Sequence, residues 1–176
     1  GWISSCDAQG RLNLAPYSFF NAFNYVPPII GFASVGRKDS LSNIEQTGEF
    51  AWNLVTRPLA EAMNQSSAAV AAEVDEFALS GLTAAPCRLI GVPRVLQSPV
   101  SFECRLTQIV QLQRSDKSLI PTWLILGAVV AVHIARVLLK QGVYDTAAAE
   151  PLLRGGGAAD YFSITADNLL HMQRPA

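Results

Sequence analysis

Two long apolar runs in the second half of the chain constrain its fold most. Val100 to Gln113 (VSFECRLTQIVQLQ) and Thr122 to Ile134 (TWLILGAVVAVHI) are rich in β-branched and aromatic residues and read as long strands. Arg114 to Ser118 between them is polar and reads as a hairpin loop. Strands of this length present long unpaired edges, and closing the sheet into a small barrel removes those edges. A doubly wound parallel sheet needs regular strand–helix alternation, which fails after residue 90. The expected class is therefore mainly β, a β-barrel with a few short inserted helices. With 176 residues, half of them hydrophobic and 15% charged, the chain can bury a full core and reads as one domain over 1–176.

The net charge of −1 gives no general attraction to nucleic acid or to an anionic membrane. The stretch Leu119 to Leu139 is apolar, but its uninterrupted part falls short of the roughly 20 residues a spanning helix needs. Pro121 interrupts one end, and His133 and Arg136 the other. No membrane span is expected. Cys6, Cys87 and Cys104 are odd in number and widely spaced, with no zinc-type pairing, which suits reduced thiols in a cytoplasmic protein. The first residue is Gly1 within an apolar run, so the start of the first strand is expected upstream.

Trp2 to Ser5 reads as the end of a strand, followed by a turn at Asp7 to Gly10. Leu12 to Asn24 is strand-like but interrupted by Pro16, so it is expected to bend there or to lie at a sheet edge. Pro27-Pro28 leads into the buried strand IIGFAS. A helix follows with Asp39 or Ser40 as N-cap and Gly48 as its stop. Phe50 to Val55 reads as a strand. Pro58 starts a second helix, LAEAMNQSSAAVAAEV, and VDEFALSGL reads as a third short helical piece. After Thr122–Ile134 the chain is rich in loops.

The residues that could carry chemistry are few. There is no GxGxxG, P-loop or GxSxG, and the two histidines are far apart in sequence. An enzyme with so sparse a set of side chains would need a borrowed cofactor. Arg37-Lys38-Asp39-Ser40 places two cations and a hydroxyl at a helix N-terminus, a combination suited to a phosphate. It follows an uncharged aromatic–amide stretch, LNLAPYSFFNAFNYVPP, by one short strand. The pair suggests a ligand with a phosphate at one end and a flat polar ring at the other.

The runs DAQGRLNLAPYSFFNAFNYVPP, GRKDSLSNIEQTGEFAWNLVT, VDEFALSGL, SPVSFECRL, LGAVVAVHI and the closing DYF and RP together resemble the flavin reductase-like FMN-binding family, which includes flavoredoxin. The resemblance covers essentially the whole chain. It implies a Greek-key FMN-binding split barrel working as a homodimer. It also implies NAD(P)H-dependent reduction of FMN, with electrons passed to free flavin, ferric iron or a partner monooxygenase. An FMN-binding electron carrier or flavin store without nicotinamide activity is the alternative. By the same resemblance, Asn13, Ala15, Pro16, Tyr17 and Ser18 would lie along the isoalloxazine and ribityl chain, with Ala33 and Ser34 flanking the ribityl. Arg37, Lys38 and Ser40 would hold the phosphate, with Ser5 nearby. His133 would lie on the nicotinamide or flavin side, and Arg174 would fold back on the site or pin the tail. Phe19 to Tyr25 would supply barrel core and dimer contact. The sequence departs from the family pattern at Ala128, where an acidic residue is expected, in HIARVLL, and at Gly155 to Gly157. These departures bear on the reductase step and leave the phosphate cluster intact.

Overall fold

In a computed structural model, which describes residues 1–175, the chain builds one seven-stranded antiparallel sheet. The first strands are β1 (Trp2–Cys6), β2 (Leu12–Pro16), β3 (Phe20–Asn24) and β4 (Ile29–Val35). Helix α1 (Asp39–Thr47) precedes β5 (Glu49–Asn53), and α2 (Ala60–Gln65) and α3 (Glu76–Leu79) follow it. A short pair, β6 (Ala84–Ala85) and β7 (Arg94–Val95), leads to the long hairpin β8 (Val100–Gln113) and β9 (Leu119–Ile134). The sheet order is β2-β1-β5-β8-β9-β4-β3. The mainly β class and the long hairpin agree with the sequence reading, and Arg114–Ser118 is its connecting loop.

The run Leu12–Asn24 is not one bent strand. It divides into β2 and β3, which occupy opposite edges of the sheet. Pro16 has no N–H to continue a ladder, and the chain crosses there from one edge to the other. The crossing is tied at both ends: Tyr17 N–H donates to Gly1 O at 2.6 Å, and Ala33 N–H donates to Phe19 O at 2.9 Å.

The inner face of the sheet holds Ile3, Tyr17, Ile30, Phe32, Phe50, Cys104 and Ile125, with Leu41 and Ile44 of α1 plugging one end. Burying each such side chain stabilises the fold by about 1.5–3 kcal/mol before entropy is counted. Tyr17 packs on Phe32 with ring centroids 4.5 Å apart, and Phe32 meets Phe50 edge-on at 5.7 Å. Gly127 makes room for this packing, since a Cβ there would fall 2.4 Å from the Phe50 ring. On the outer face, Trp2 and Leu14 pack with Met63 of α2, Phe77 of α3 and Val95. The Glu76 carboxylate accepts the N–H of Leu14 at 3.1 Å, so α3 covers the outer edge of β2.

Three further expectations change. The N-cap of α1 is Lys38, with no side-chain hydrogen bond, while Gly48 ends the helix in the left-handed region as expected. The second helix stops at Gln65. Ser66 and Ser67 turn their hydroxyls onto the carbonyls of Met63 and Asn64, at 2.8 and 2.6 Å, which satisfies the last turn and ends it. Of the aromatics expected in the barrel core, Phe20 stacks on Trp52 at 5.5 Å, but Phe19, Phe23 and Tyr25 are 66%, 53% and 90% exposed. They lie on and beside edge strand β3, whose outer side no other strand covers among the described residues. All three cysteines are free thiols. Among the described residues no helix is long and apolar enough to cross a membrane.

Candidate functional site

Strand alternation gives the candidate site its buried polar members. Ser4 and Ser5 point to opposite faces, and Ser5 shares the inner side with its cross-strand partner Asn13. Asn13 Nδ2 donates to Ser5 Oγ at 3.1 Å and to Ser40 Oγ at 2.8 Å. Asn43, one turn beyond Ser40 on α1, donates to Ser5 Oγ at 3.2 Å. The Ser5 and Ser40 hydroxyls thus act as acceptors, and among the described residues neither donates a hydrogen bond. Their protons remain available to an anion.

Two more features point the same way. The first turn of α1 carries backbone N–H groups that no side chain caps, and this nine-residue helix places its positive dipole end there. Tyr17 is only 6% exposed, yet among the described residues its hydroxyl has no hydrogen-bond partner. Burial pushes its phenol above the usual value, an effect that the nearby Ser40 and Ser34 hydroxyls reduce. A buried hydroxyl left unpaired costs about 1–3 kcal/mol, so a ligand atom that pairs with it recovers that cost. Lys38 reaches over the same ring, its Nζ 5.9 Å from the centroid. A phosphoryl group matches this donor set of lysine ammonium, hydroxyls and free N–H groups.

Pro16, Tyr17 and Ser18 line a cleft of about 470 Å³ with Trp52, Leu152 and Tyr161, a size and character suited to a flat organic ring. A smaller cleft of about 170 Å³ opens beside Asn13, Asp39 and Asn43. Ala15 sits on β2 between Asn13 and this larger cleft, and Ala33 and Ser34 lie on β4. Ser34 is buried and donates to Gly36 O at 2.9 Å.

Of the residues singled out from the sequence, Ser5, Asn13, Tyr17, Ser34, Lys38 and Ser40 come together. Arg37 turns away: its guanidinium pairs with Glu45 and lies over the Trp123 ring at 5.7 Å. Arg174 is in the exposed tail, and among the described residues no hydrogen bond or ion pair joins it to the cluster. His133 is on the other face. It pairs across strands with Ser101, which bonds Asn53 Oδ1 at 2.9 Å, and Asn53 in turn donates to Ser4. Its Nε2 lies 2.6 Å from Glu103 Oε1. Burial by itself would raise the Glu103 carboxyl. The N–H of Arg88, the His133 ring and the N–H of Leu89 outweigh that and hold it below its usual value.

Asn43 and Glu45 escaped the sequence reading. Both follow from a helix that starts at Asp39, since Asn43 falls one turn after Ser40 and Glu45 falls two turns after Arg37.

Comparison with known proteins agrees with this architecture. An uncharacterised protein of Deinococcus radiodurans is 37% identical over 157 residues, covering 85% of this chain and 66% of that protein. The chain spans about three fifths to three quarters of the length of the curated relatives it matches. The crystal structure of nitrilotriacetate monooxygenase component B from Bacillus cereus superposes with a TM-score of 0.85 at 28% identity, over 99% of this chain and 85% of that one. A structure described as a flavin reductase with a split barrel domain, from Shewanella frigidimarina, gives 0.84 at 23% identity over 99% and 84%. The second likeness identifies the fold as a split barrel. The family model for the flavin reductase like domain matches residues 1–153, and the chain belongs to that family.

Proposed function

We propose that this chain binds FMN and acts as an NAD(P)H-dependent flavin reductase. The observation that carries the reading is the unpaired, buried Tyr17 hydroxyl beside Lys38 and the uncapped first turn of α1. When bound, FMN would supply the redox chemistry, accepting a hydride from a nicotinamide and releasing electrons to an acceptor. Lys38, Ser40, Ser34 and Tyr17 hold the phosphate, with Ser5 and Asn13 keeping the serine hydroxyls oriented. Arg37 joins them by exchanging Glu45 for the phosphate, and Arg174 approaches from the tail. Asn13, Ala15, Pro16, Tyr17 and Ser18 run along the ring and ribityl, with Ala33 on the other side. The aromatic cleft excludes water from the ring and fixes its orientation, which is the protein's part in a hydride transfer that needs no acid–base side chain. Free flavin, ferric iron or a partner monooxygenase would take the electrons.

The working unit is a homodimer, a reading supported by exposed Phe19, Phe23 and Tyr25 along edge strand β3. Sedimentation at a monomer mass would exclude it. Anaerobic stopped-flow mixing of the FMN-loaded protein with NADH or NADPH tests the reductase. The visible flavin band is expected to bleach faster than for free FMN. One observation favours a second reading, an FMN electron carrier: His133 faces Glu103 and not the phosphate cluster. Tight FMN binding with no bleaching by either nucleotide, but reduction by a protein donor, would select that reading.

A further inference from the structure

Cys87, Glu103 and His133 stand outside the flavin reading and bring three different ligand types to one point. We propose that they form a binding site for one zinc-class divalent cation on the outer face of the sheet. Their ligand atoms all lie within 4.8 Å of one another. Around a tetrahedral zinc with bonds of about 2.0–2.3 Å, ligand atoms sit about 3.3–3.8 Å apart. The ion therefore enters by opening the 2.6 Å His133–Glu103 contact and drawing the thiol inward.

The ligands are held for this purpose by different means. Glu103 and His133 stand on the neighbouring long strands β8 and β9, next to the cross-strand pair Ser101 and His133. Glu103 is fully buried, and its two oxygens accept the N–H groups of Arg88 at 2.8 Å and Leu89 at 2.7 Å. Those residues directly follow Cys87, so the same bonds that orient the carboxylate also fix the cysteine beside it. A buried carboxylate oriented by backbone donors is the outer-shell arrangement that metal sites use. Oε2 accepts only the Leu89 N–H among the described residues and keeps a lone pair for an ion. Cys87 and His133 are partly exposed, which leaves an entry path and a fourth position for water.

A sulfur, a nitrogen and an oxygen donor favour zinc over magnesium or calcium, which take oxygen ligands. Binding is a simple exchange. The Cys87 S–H bond breaks, an S–Zn bond forms and that proton leaves to the buffer, while the Nε2 proton that His133 shares with Glu103 moves through solvent to Nδ1 and frees the Nε2 lone pair for the metal.

The test is calorimetric titration of the FMN-loaded full chain with zinc chloride, with cobalt(II) absorption as a second probe of thiolate ligation. One ion per chain is expected, with proton release and a thiolate-to-cobalt charge-transfer band. Cys87→Ser and His133→Ala are each expected to weaken binding by roughly 100-fold, while Cys6→Ser leaves it unchanged. If His133→Ala misfolds, zinc protection of Cys87 against a thiol reagent in the parent chain gives the same information. No saturable binding, or binding that survives Cys87→Ser, overturns the proposal. Flavin affinity measured in the Cys87→Ser protein reports the opposite face of the sheet, so failure of the metal site leaves the flavin reading to its own test.

Discussion

Asn53 and Asn13 are both buried asparagines on the sheet, each surrounded by serines, yet they serve different ends. Asn53 Oδ1 accepts the Val95 N–H and the Ser101 hydroxyl, both at 2.9 Å, and its Nδ2 donates to Ser4 Oγ at 3.2 Å and Trp2 O at 3.4 Å. Its donors and acceptor are all used, and it joins β1, β5, β7 and β8. Asn13 donates to two hydroxyls whose own protons go unused, beside an unpaired Tyr17 hydroxyl and a bare helix turn. The first network is complete without help and is structural. The second is complete only when something brings it an acceptor, which marks a binding site.

The largest expected effect on stability is at the complete network. Asn53→Ala should lower unfolding free energy by about 3 kcal/mol, because it leaves buried partners unpaired on several strands. Denaturant unfolding measures this, and a loss below about 1 kcal/mol would break the contrast. At the incomplete network the effect moves from stability to affinity. Lys38→Ala should weaken FMN binding by roughly 10–100-fold while unfolding changes by less than about 0.5 kcal/mol.

Tyr17→Phe sharpens the comparison further. It removes a hydroxyl that has no partner, so the flavin-free protein should keep its stability or gain up to about 1 kcal/mol. FMN affinity should nonetheless fall several-fold. A destabilised flavin-free variant would mean that the hydroxyl is already paired within the fold.

The smallest effect is at Glu76. Burial raises its carboxyl above the ordinary 4.5, and the Leu14 N–H offsets only part of that. A raised acid costs stability wherever the folded carboxyl is ionised, and that cost disappears below the unfolded value. Glu76→Gln should therefore raise the melting temperature slightly at neutral pH, with the gain vanishing as pH falls below about 4.5. A gain independent of pH would point to packing and not to charge.

The sequence made some of this legible and hid the rest for physical reasons. The β8–β9 hairpin was visible because its long β-branched runs bury one side over many residues. Lys38 and Ser40 were visible because a helix start concentrates donors locally. The interruption of Leu12–Asn24 at Pro16 was visible, but the placing of its halves on opposite edges was hidden, since it depends on where the two sheet edges meet. The diversion of Arg37 was hidden as well, because it needs the helix register that brings Glu45 beside it. Nothing in the run SFECRL sets Glu103 apart, and only the N–H groups of Arg88 and Leu89 folding over it reveal a buried carboxylate. Phe19, Phe23 and Tyr25 were expected in barrel core and dimer contact, yet they are exposed on and beside edge strand β3.

The crossing at Tyr17 to Phe19 has a consequence for how the barrel holds its size. Its two outermost strands are the farthest apart in the sheet and almost the nearest in sequence. Three consecutive residues therefore act as a buckle on a belt, and their length sets how far the two ends can part. Tyr17 sits on that buckle with its ring in the core and its hydroxyl near those of Ser34 and Ser40.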